Sequence, residues 1–219
     1  MRTTLLIVDA EIETIPRDQT KGSRLRNFSD TIFGGGEVIL DSWLHQDILK
    51  FMPDANRRGR PDIVHHALSL SLSSLAYRRG YLDIVIHTRN NEVFWFGKNV
   101  EVPQNYFEFL HMLGQLYAGD QVCCGDKKIM LEKNLTLSQV IARIAPEVSI
   151  VMTPEGENKN LGHLLQGFST QRALIMFGGF PIGDYRSPAY DLSEIGISLG
   201  PEWLNINAVT AELLRSLPK

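Results

Sequence analysis

Two rhythms of apolar and polar positions run along this chain. Residues 4–9 (TLLIVD) form a nearly unbroken apolar run, the signature of a buried strand, and DAEIETIP carries the chain out of it. Pro16 to Asp30 is polar and basic, suited to a loop or an irregular helix start, and the three glycines at 34–36 interrupt regular structure after Phe33. In 37–52, Val38, Leu40, Trp43, Leu44, Ile48 and Leu49 fall at helical spacing, so this stretch is expected to be a helix ended by Pro53. A second helix is predicted over 61–79, opened by Pro61 and stopped at Gly80. Period-two runs at 82–87 and 92–96 flank the polar Arg89 to Asn91, which predicts a hairpin. Leu82 to Asn99 then reads as a small β excursion from the main sheet.

Pro103 introduces a third helix over Tyr106 to Tyr117, and Gly119 to Lys128 reads as a loop leading to IMLEKN. A short helix is expected over Thr136 to Ile144, with Thr136 or a slightly earlier residue as its cap. Three strand-and-loop passages come next: 149–156, 173–185, and 194–217, the last ending in a helix. Apolar strands alternating with helices predict an α/β fold with a mostly parallel sheet covered on both faces. A chain of 219 residues suits a single domain spanning 1–219.

Composition narrows the classes. With 43% apolar residues the chain can bury a large core without staples. Twenty-two Lys and Arg against 25 Asp and Glu give a charge of -3, which excludes a protein that holds nucleic acid by bulk positive charge but leaves room for a local patch. The two cysteines, Cys123 and Cys124, are adjacent, which excludes a disulfide framework and fits a reducing compartment. The opening MRTTLLIVDAEIE does not read as a signal peptide, and no apolar run is long enough to span a membrane. A cytoplasmic protein is expected.

Candidate chemistry collects at two places. The loops Thr153 to Gly156, Gly178 to Gly183 and Leu199 to Leu204 come after three strands, and ligands of open α/β sheets gather beyond strand carboxyl ends. Glycines there allow close backbone approach to a flat ligand, or simply serve tight turns. Neither GxGxxG after the first strand nor a P-loop lysine is present, so an ordinary dinucleotide or ATP site is not supported. The second place is Arg57-Arg58-Gly59-Arg60-Pro61-Asp62, where three arginines enter a helix. They could hold phosphate at its N-terminus, or form a solvated connector in which Arg60 and Asp62 pair. His65, His66, His87, His111 and His163 lack any metal-binding pattern, and His65 is expected to be a hydrogen-bonded residue that is structural or stands behind a site residue. Cys123-Cys124 and Ser73-Ser74 carry no nucleophile signature.

LLIVDAEIETIP, GRPDIVH, GxLDIVIHTxxN and VPxNYxxFxxMxxQL, read together, resemble the Nep1 (Emg1) family of ribosome-biogenesis RNA methyltransferases, a branch of the SPOUT superfamily. The resemblance covers nearly the whole chain. It implies a SPOUT-like fold with a C-terminal trefoil knot over about 149–219, binding S-adenosyl-L-methionine, and a homodimer that methylates N1 of a pseudouridine in small-subunit ribosomal RNA. The implied cofactor residues are Thr153, Pro154, Gly156, Gly178, Gly179, Gly183, Leu199, Trp203 and Leu204. Arg60 and Asp62 are the implied catalytic pair, Arg60 holding RNA phosphate or shaping the target pocket and Asp62 orienting it. RNA contacts are expected from Arg17, Lys21, Arg24 and Arg26 together with Arg57, Arg58 and Arg60. Phe107, Phe109, Leu110, Leu113 and Leu116 are candidate dimer-interface residues.

The chain departs from the family where relatives commonly carry arginines, with Glu101, Gln104 and Glu108 instead, and reads Ser73-Ser74-Leu75-Ala76-Tyr77 where DSPLN is usual. Each lost cation weakens a phosphate contact. A ribosome-assembly factor that binds RNA with little or no catalysis is therefore the alternative. A nucleotide-binding α/β enzyme acting on a small molecule would suit the negative charge but leaves GRPDIVH unexplained.

Overall fold

The computed structural model describes residues 2–15, 36–124, 127–168 and 172–217. Its framework is one eight-stranded sheet: β1 (Arg2–Ala10), β2 (Leu82–Thr88), β3 (Val93–Phe96), β4 (Gln121–Cys124), β5 (Lys127–Glu132), β6 (Val148–Asn158), β7 (Arg172–Gly178) and β8 (Ile195–Ser198). The spatial order is β4-β5-β3-β2-β1-β7-β6-β8. From β2 to β8 all neighbours are parallel, and β3, β5 and β4 extend the sheet antiparallel at one edge. The sheet is therefore mixed, and β1 lies near the middle of the whole sheet, between β2 and β7.

The alternation along β1 sorts the core. Leu5 and Ile7 face one cluster, Leu6 and Val8 the other, and all four are essentially inaccessible to solvent. The Leu5 face is covered by α2 (Pro61–Ser73), α4 (Tyr106–Gly119), α6 (Leu161–Gly167) and α7 (Ile206–Ser216). The Leu6 face is covered by α5 (Leu137–Ile144) and by Tyr185, Ala189 and Leu192. Two short helices, α1 (Gln46–Leu49) and α3 (Leu75–Arg78), complete the set among the described residues. Thr136 caps α5 in a reciprocal capping box with Gln139, worth about 1 kcal/mol.

Several expectations change. The predicted helix over 37–52 shrinks to α1, because the segment before it pairs with the chain leaving β1. Ile39 bridges Thr14, Leu40 N–H donates to Glu13 O at 2.8 Å, and Ile15 N–H donates to Val38 O at 2.8 Å. That extended pairing buries Ile39 and Leu40 together and leaves Trp43 outside. The helix over 61–79 breaks at Ser74, whose hydroxyl accepts from Tyr77 N–H and starts α3. The expected loop at 119–128 contains β4, which forms a hairpin with β5. Leu82 to Asn99 is no separate excursion: β2 runs in parallel register beside β1, and only β3 turns back. Of the candidate interface residues, Phe109, Leu110, Leu113 and Leu116 are core side chains, and Phe107 alone is exposed.

Candidate active site

Parallel pairing of β7, β6 and β8 brings the loops after these strands to one edge of the sheet. Met152 and Glu157 both pair with Ile197, so 153–156 leaves the ladder and returns to the same β8 residue. Gly156 then lies on that strand so closely that a Cβ would sit 2.6 Å from Ile197 backbone atoms. After β7 the chain is clasped to β1: Gly179 N–H donates to Val8 O at 2.8 Å, and Glu11 N–H donates to Gly179 O at 3.2 Å. A Cβ on Gly179 would meet Ile7 Cγ2 at 2.6 Å, and one on Gly178 would meet the Phe180 ring. The missing Cβ at these three positions lets the protein pack closely on itself.

The segment after Gly179 is pinned from below. The Asp9 carboxylate, buried at a positive φ of 53°, accepts from Arg186 N–H at 2.6 Å, Ser187 N–H at 3.0 Å and Ser187 Oγ at 2.6 Å. Arg57 Nη1 donates to Asp184 O at 2.7 Å and Ile182 O at 3.4 Å, and its guanidinium covers the Phe180 ring at 4.1 Å. Tyr185 OH donates to Met152 O at 2.8 Å, which joins the 178–190 segment to β6; burial pushes its phenol up.

The rim is open on its other side. Thr153 is half-buried, its Oγ1 lying 3.3 Å from Tyr190 OH, and Pro154 and Gly183 are exposed. Leu199 is half-buried, whereas Leu204 is 40% and Trp203 85% exposed. Among the described residues, the backbone of 201–204 makes no hydrogen bond to other backbone. Unpaired amides and carbonyls beside exposed apolar side chains suit a ligand with a flat ring and polar edges. The residues present therefore fit an adenosyl cofactor.

A second feature lies at the start of α2. Arg60 donates through Nε and Nη2 to the two Asp62 oxygens, both at 2.8 Å, a bidentate pair about one-third exposed. Hydrogen bonding to Asp62 raises the guanidinium above its ordinary value, against the cost of burial. Arg60 N–H donates to Glu11 O at 3.0 Å, which anchors the pair to the chain leaving β1. The pair lines an open cleft of about 370 Å³ with Asp41, Ser42, Trp43, Tyr106 and Phe107. Tyr106 OH donates to Asp41, and burial together with that carboxylate pushes the phenol up strongly. His65 sits behind this wall, its ring stacked on Phe109 at 4.6 Å and its Nε2–H donating to Pro103 O at 2.8 Å; burial lowers its pKa. This is the structural role expected of it.

The other arginines of the motif do not share the cleft. Arg57 is buried against Glu11, Nε to Oε1 at 2.5 Å, and Arg58 is held by both oxygens of Glu13. Their guanidiniums bind internal carboxylates, and neither lines the cleft. Arg17, Lys21, Arg24 and Arg26 lie outside the described residues. Glu11 also binds Arg89 through Oε2 at 2.7 Å, and Asp54 pairs with Arg89 and Arg186. This network went unpredicted, although Asp9, Glu11 and Glu13 recur at period two along one continuous stretch. Three acids on one side of a buried segment demand three sets of partners.

A family model described as EMG1/NEP1 methyltransferase matches residues 5–217. The protein named Ribosomal RNA small subunit methyltransferase Nep1 from Methanothrix thermoacetophila is 31% identical over 217 residues, covering 96% of this chain and 93% of its own. Its namesake from Thermococcus kodakarensis is 36% identical over 188 residues, 84% of each chain. The crystal structure of Archaeoglobus fulgidus Nep1 bound to S-adenosylhomocysteine is similar in fold, with a TM-score of 0.82 at 24% identity over 99% of this chain and 97% of that one.

Proposed function

This chain is a member of the EMG1/NEP1 methyltransferase family, and on that premise we propose that it methylates N1 of a pseudouridine in small-subunit ribosomal RNA, using S-adenosyl-L-methionine, during small-subunit assembly. The observation that carries this reading is the Arg60 and Asp62 pair, held in an open cleft of a chain similar over nearly its whole length to proteins named as small-subunit rRNA methyltransferases. Pseudouridine, unlike uridine, carries an N1–H, and S-adenosyl-L-methionine when bound supplies an electrophilic methyl group.

The chain's own residues have three tasks. The loops at 153–156, 178–183 and 199–204 hold the cofactor through backbone groups and the apolar cover of Leu199, Trp203 and Leu204. The cleft walls receive the base and fix its orientation. Arg60, a permanent cation held in place by Asp62, stabilises the negative charge that spreads over ring and carbonyls as N1 loses its proton. Asp62 serves best as the group that orients Arg60 and the base, since a carboxylate is a far weaker base than the imide anion it would generate.

The working unit in this reading is a cytoplasmic homodimer whose C-terminal region is threaded as a trefoil knot. One observation favours a second reading: Glu101, Gln104 and Glu108, close in sequence to Tyr106 and Phe107, are all exposed, and the two carboxylates repel phosphate where cations would hold it. That reading is an assembly factor that binds RNA with little turnover. The deciding experiment is methyl transfer from labelled S-adenosylmethionine to two stem-loops that differ only in pseudouridine against uridine at the target. Product at N1 of the pseudouridine RNA alone is expected. Binding of RNA and cofactor without transfer to either stem-loop overturns catalysis in favour of the second reading.

A further inference from the structure

The cleft over Arg60 and Asp62 has aromatic walls that methyl transfer itself does not need. Trp43 is 74% exposed and Phe107 43% exposed, and both line it. The turn under Trp43 is firmly built: the Asp41 carboxylate accepts from Trp43 N–H and Leu44 N–H, both at 2.9 Å, Asp41 N–H donates to His45 Nδ1 at 3.0 Å, and Tyr106 OH closes the other carboxylate oxygen. Phe107 is fixed in the first turn of α4, where Asn105 accepts from its N–H at 2.9 Å. Two rings carried on hydrogen-bonded backbone, each with few rotamers to lose, thus face solvent at the mouth of one cleft, an arrangement that favours stacking of a flat partner.

Charge selects the partner. Among the described residues Arg60 is the only cation lining the cleft, already bidentate with Asp62, while Asp41 is a second carboxylate in the lining and Glu101 and Glu108 are exposed nearby in the chain. A phosphate backbone finds little purchase there, whereas the neutral face of a base is not repelled. The Arg60 and Asp62 pair also sets hydrogen-bond donors and acceptors side by side, the pattern on a nucleobase edge.

We propose that Trp43 and Phe107 form a stacking subsite for an unpaired nucleobase of the RNA above the Arg60 and Asp62 pair. The protein then grips its RNA here by base faces more than by phosphates. This rests on the RNA-methyltransferase reading above and names how the substrate is held.

The test uses the full chain with Trp43→Ala, Trp43→Phe and Phe107→Ala. Anisotropy titrations would compare a labelled stem-loop with unpaired loop bases and a fully paired duplex of matching length, each over a range of salt. Trp43→Ala is expected to weaken stem-loop binding roughly 5- to 100-fold, with Phe107→Ala in the same direction. Trp43→Phe should restore most of the loss, because it returns a ring without an indole N–H. The slope of log affinity against log salt should stay as in wild type, since no phosphate contact is removed. Wild-type affinity in Trp43→Ala overturns the subsite, as does a salt slope shallower by about one unit, which would mean a lost phosphate contact. A changed elution volume of Trp43→Ala with unaltered RNA affinity also overturns it, assigning the ring to a protein partner. Wild-type protein that binds neither RNA overturns the RNA-methyltransferase reading itself. Binding that ignores Trp43 leaves that reading standing.

Discussion

Replacing Arg57 with alanine separates a structural guanidinium from an RNA-binding one. In the folded chain this group satisfies Glu11, which is wholly buried, and it reaches the carbonyls of Asp184 and Ile182 while covering Phe180. Removing one partner of a buried ion pair costs about 3–5 kcal/mol, mostly from the charge left behind. Glu11 keeps Arg89 at 2.7 Å, so the lower end, about 3 kcal/mol, is expected. For a chain of this length that corresponds to a drop in melting temperature of about 6–12 °C. Arg57→Lys keeps the charge but loses the fork that spans Glu11 and Asp184, so it should recover only part of the loss. Thermal unfolding followed by circular dichroism reads the main effect, and a double-mutant cycle with Glu11→Gln reads the coupling. The second readout is S-adenosylmethionine affinity, which should fall because the 182–184 backbone loses its support. A melting temperature within about 2 °C of wild type, combined with weakened RNA binding, would refute the strut and restore Arg57 to the RNA face.

Arg60→Ala should lower RNA affinity or turnover roughly 10- to 100-fold, the range for a lost charged hydrogen bond, and leave cofactor affinity unchanged by calorimetry. Equal rates and affinities would remove Arg60 from the site. Gly179→Val places a Cβ 2.6 Å from Ile7 Cγ2 and 2.9 Å from Ala10 Cα, so it should destabilise the fold by at least about 1–3 kcal/mol in urea unfolding. Retained wild-type stability would show that β1 yields there. His45, His65 and His87 all have pKa values lowered by burial from an ordinary value near 6.5, so each is neutral when folded and takes up a proton on unfolding. Stability from these groups is complete above about pH 6.5 and is lost as pH falls through their folded values. Glu92, pushed up by burial, acts in the opposite sense as it protonates. The urea midpoint should therefore fall between about pH 7.5 and 5.5, with a shallower fall in His87→Asn; an identical slope in that variant would clear His87.

Local patterns announced most of the strands and the helices that carry caps. Thr136 with Gln139 marks the start of α5, and Pro61 marks the first turn of α2. The stretch 37–52 misled because Leu40, Trp43 and Leu44 satisfy a helical period, while the pairing of Ile39 with Thr14 is a non-local fact that no window contains. β4 escaped notice for a similar reason: only four residues long, it exists by pairing with β5. At the site, Arg60 and Asp62 were legible because they are two residues apart and meet directly. The internal pairing of Arg57 and Arg58 was not legible because a run of cations in sequence looks solvent-facing, and their partners, Glu11 and Glu13, lie more than 40 positions earlier. The cleft itself joins residues 41–43, 60–62 and 106–107, and only the fold brings those three stretches together.

The central place of β1 carries a consequence for the order in which the molecule is made. One edge of the first strand is filled by β2, at 82–88, but the other waits for β7, at 172–178. At about 5–20 residues per second, a ribosome needs on the order of ten to thirty seconds to deliver that second neighbour after β1 has emerged. Throughout that interval an apolar strand of nine residues has an open row of amides and carbonyls. Nascent chains are therefore most vulnerable to intermolecular strand pairing late in synthesis, and a truncation just short of β7 should yield an aggregating product rather than a smaller folded one.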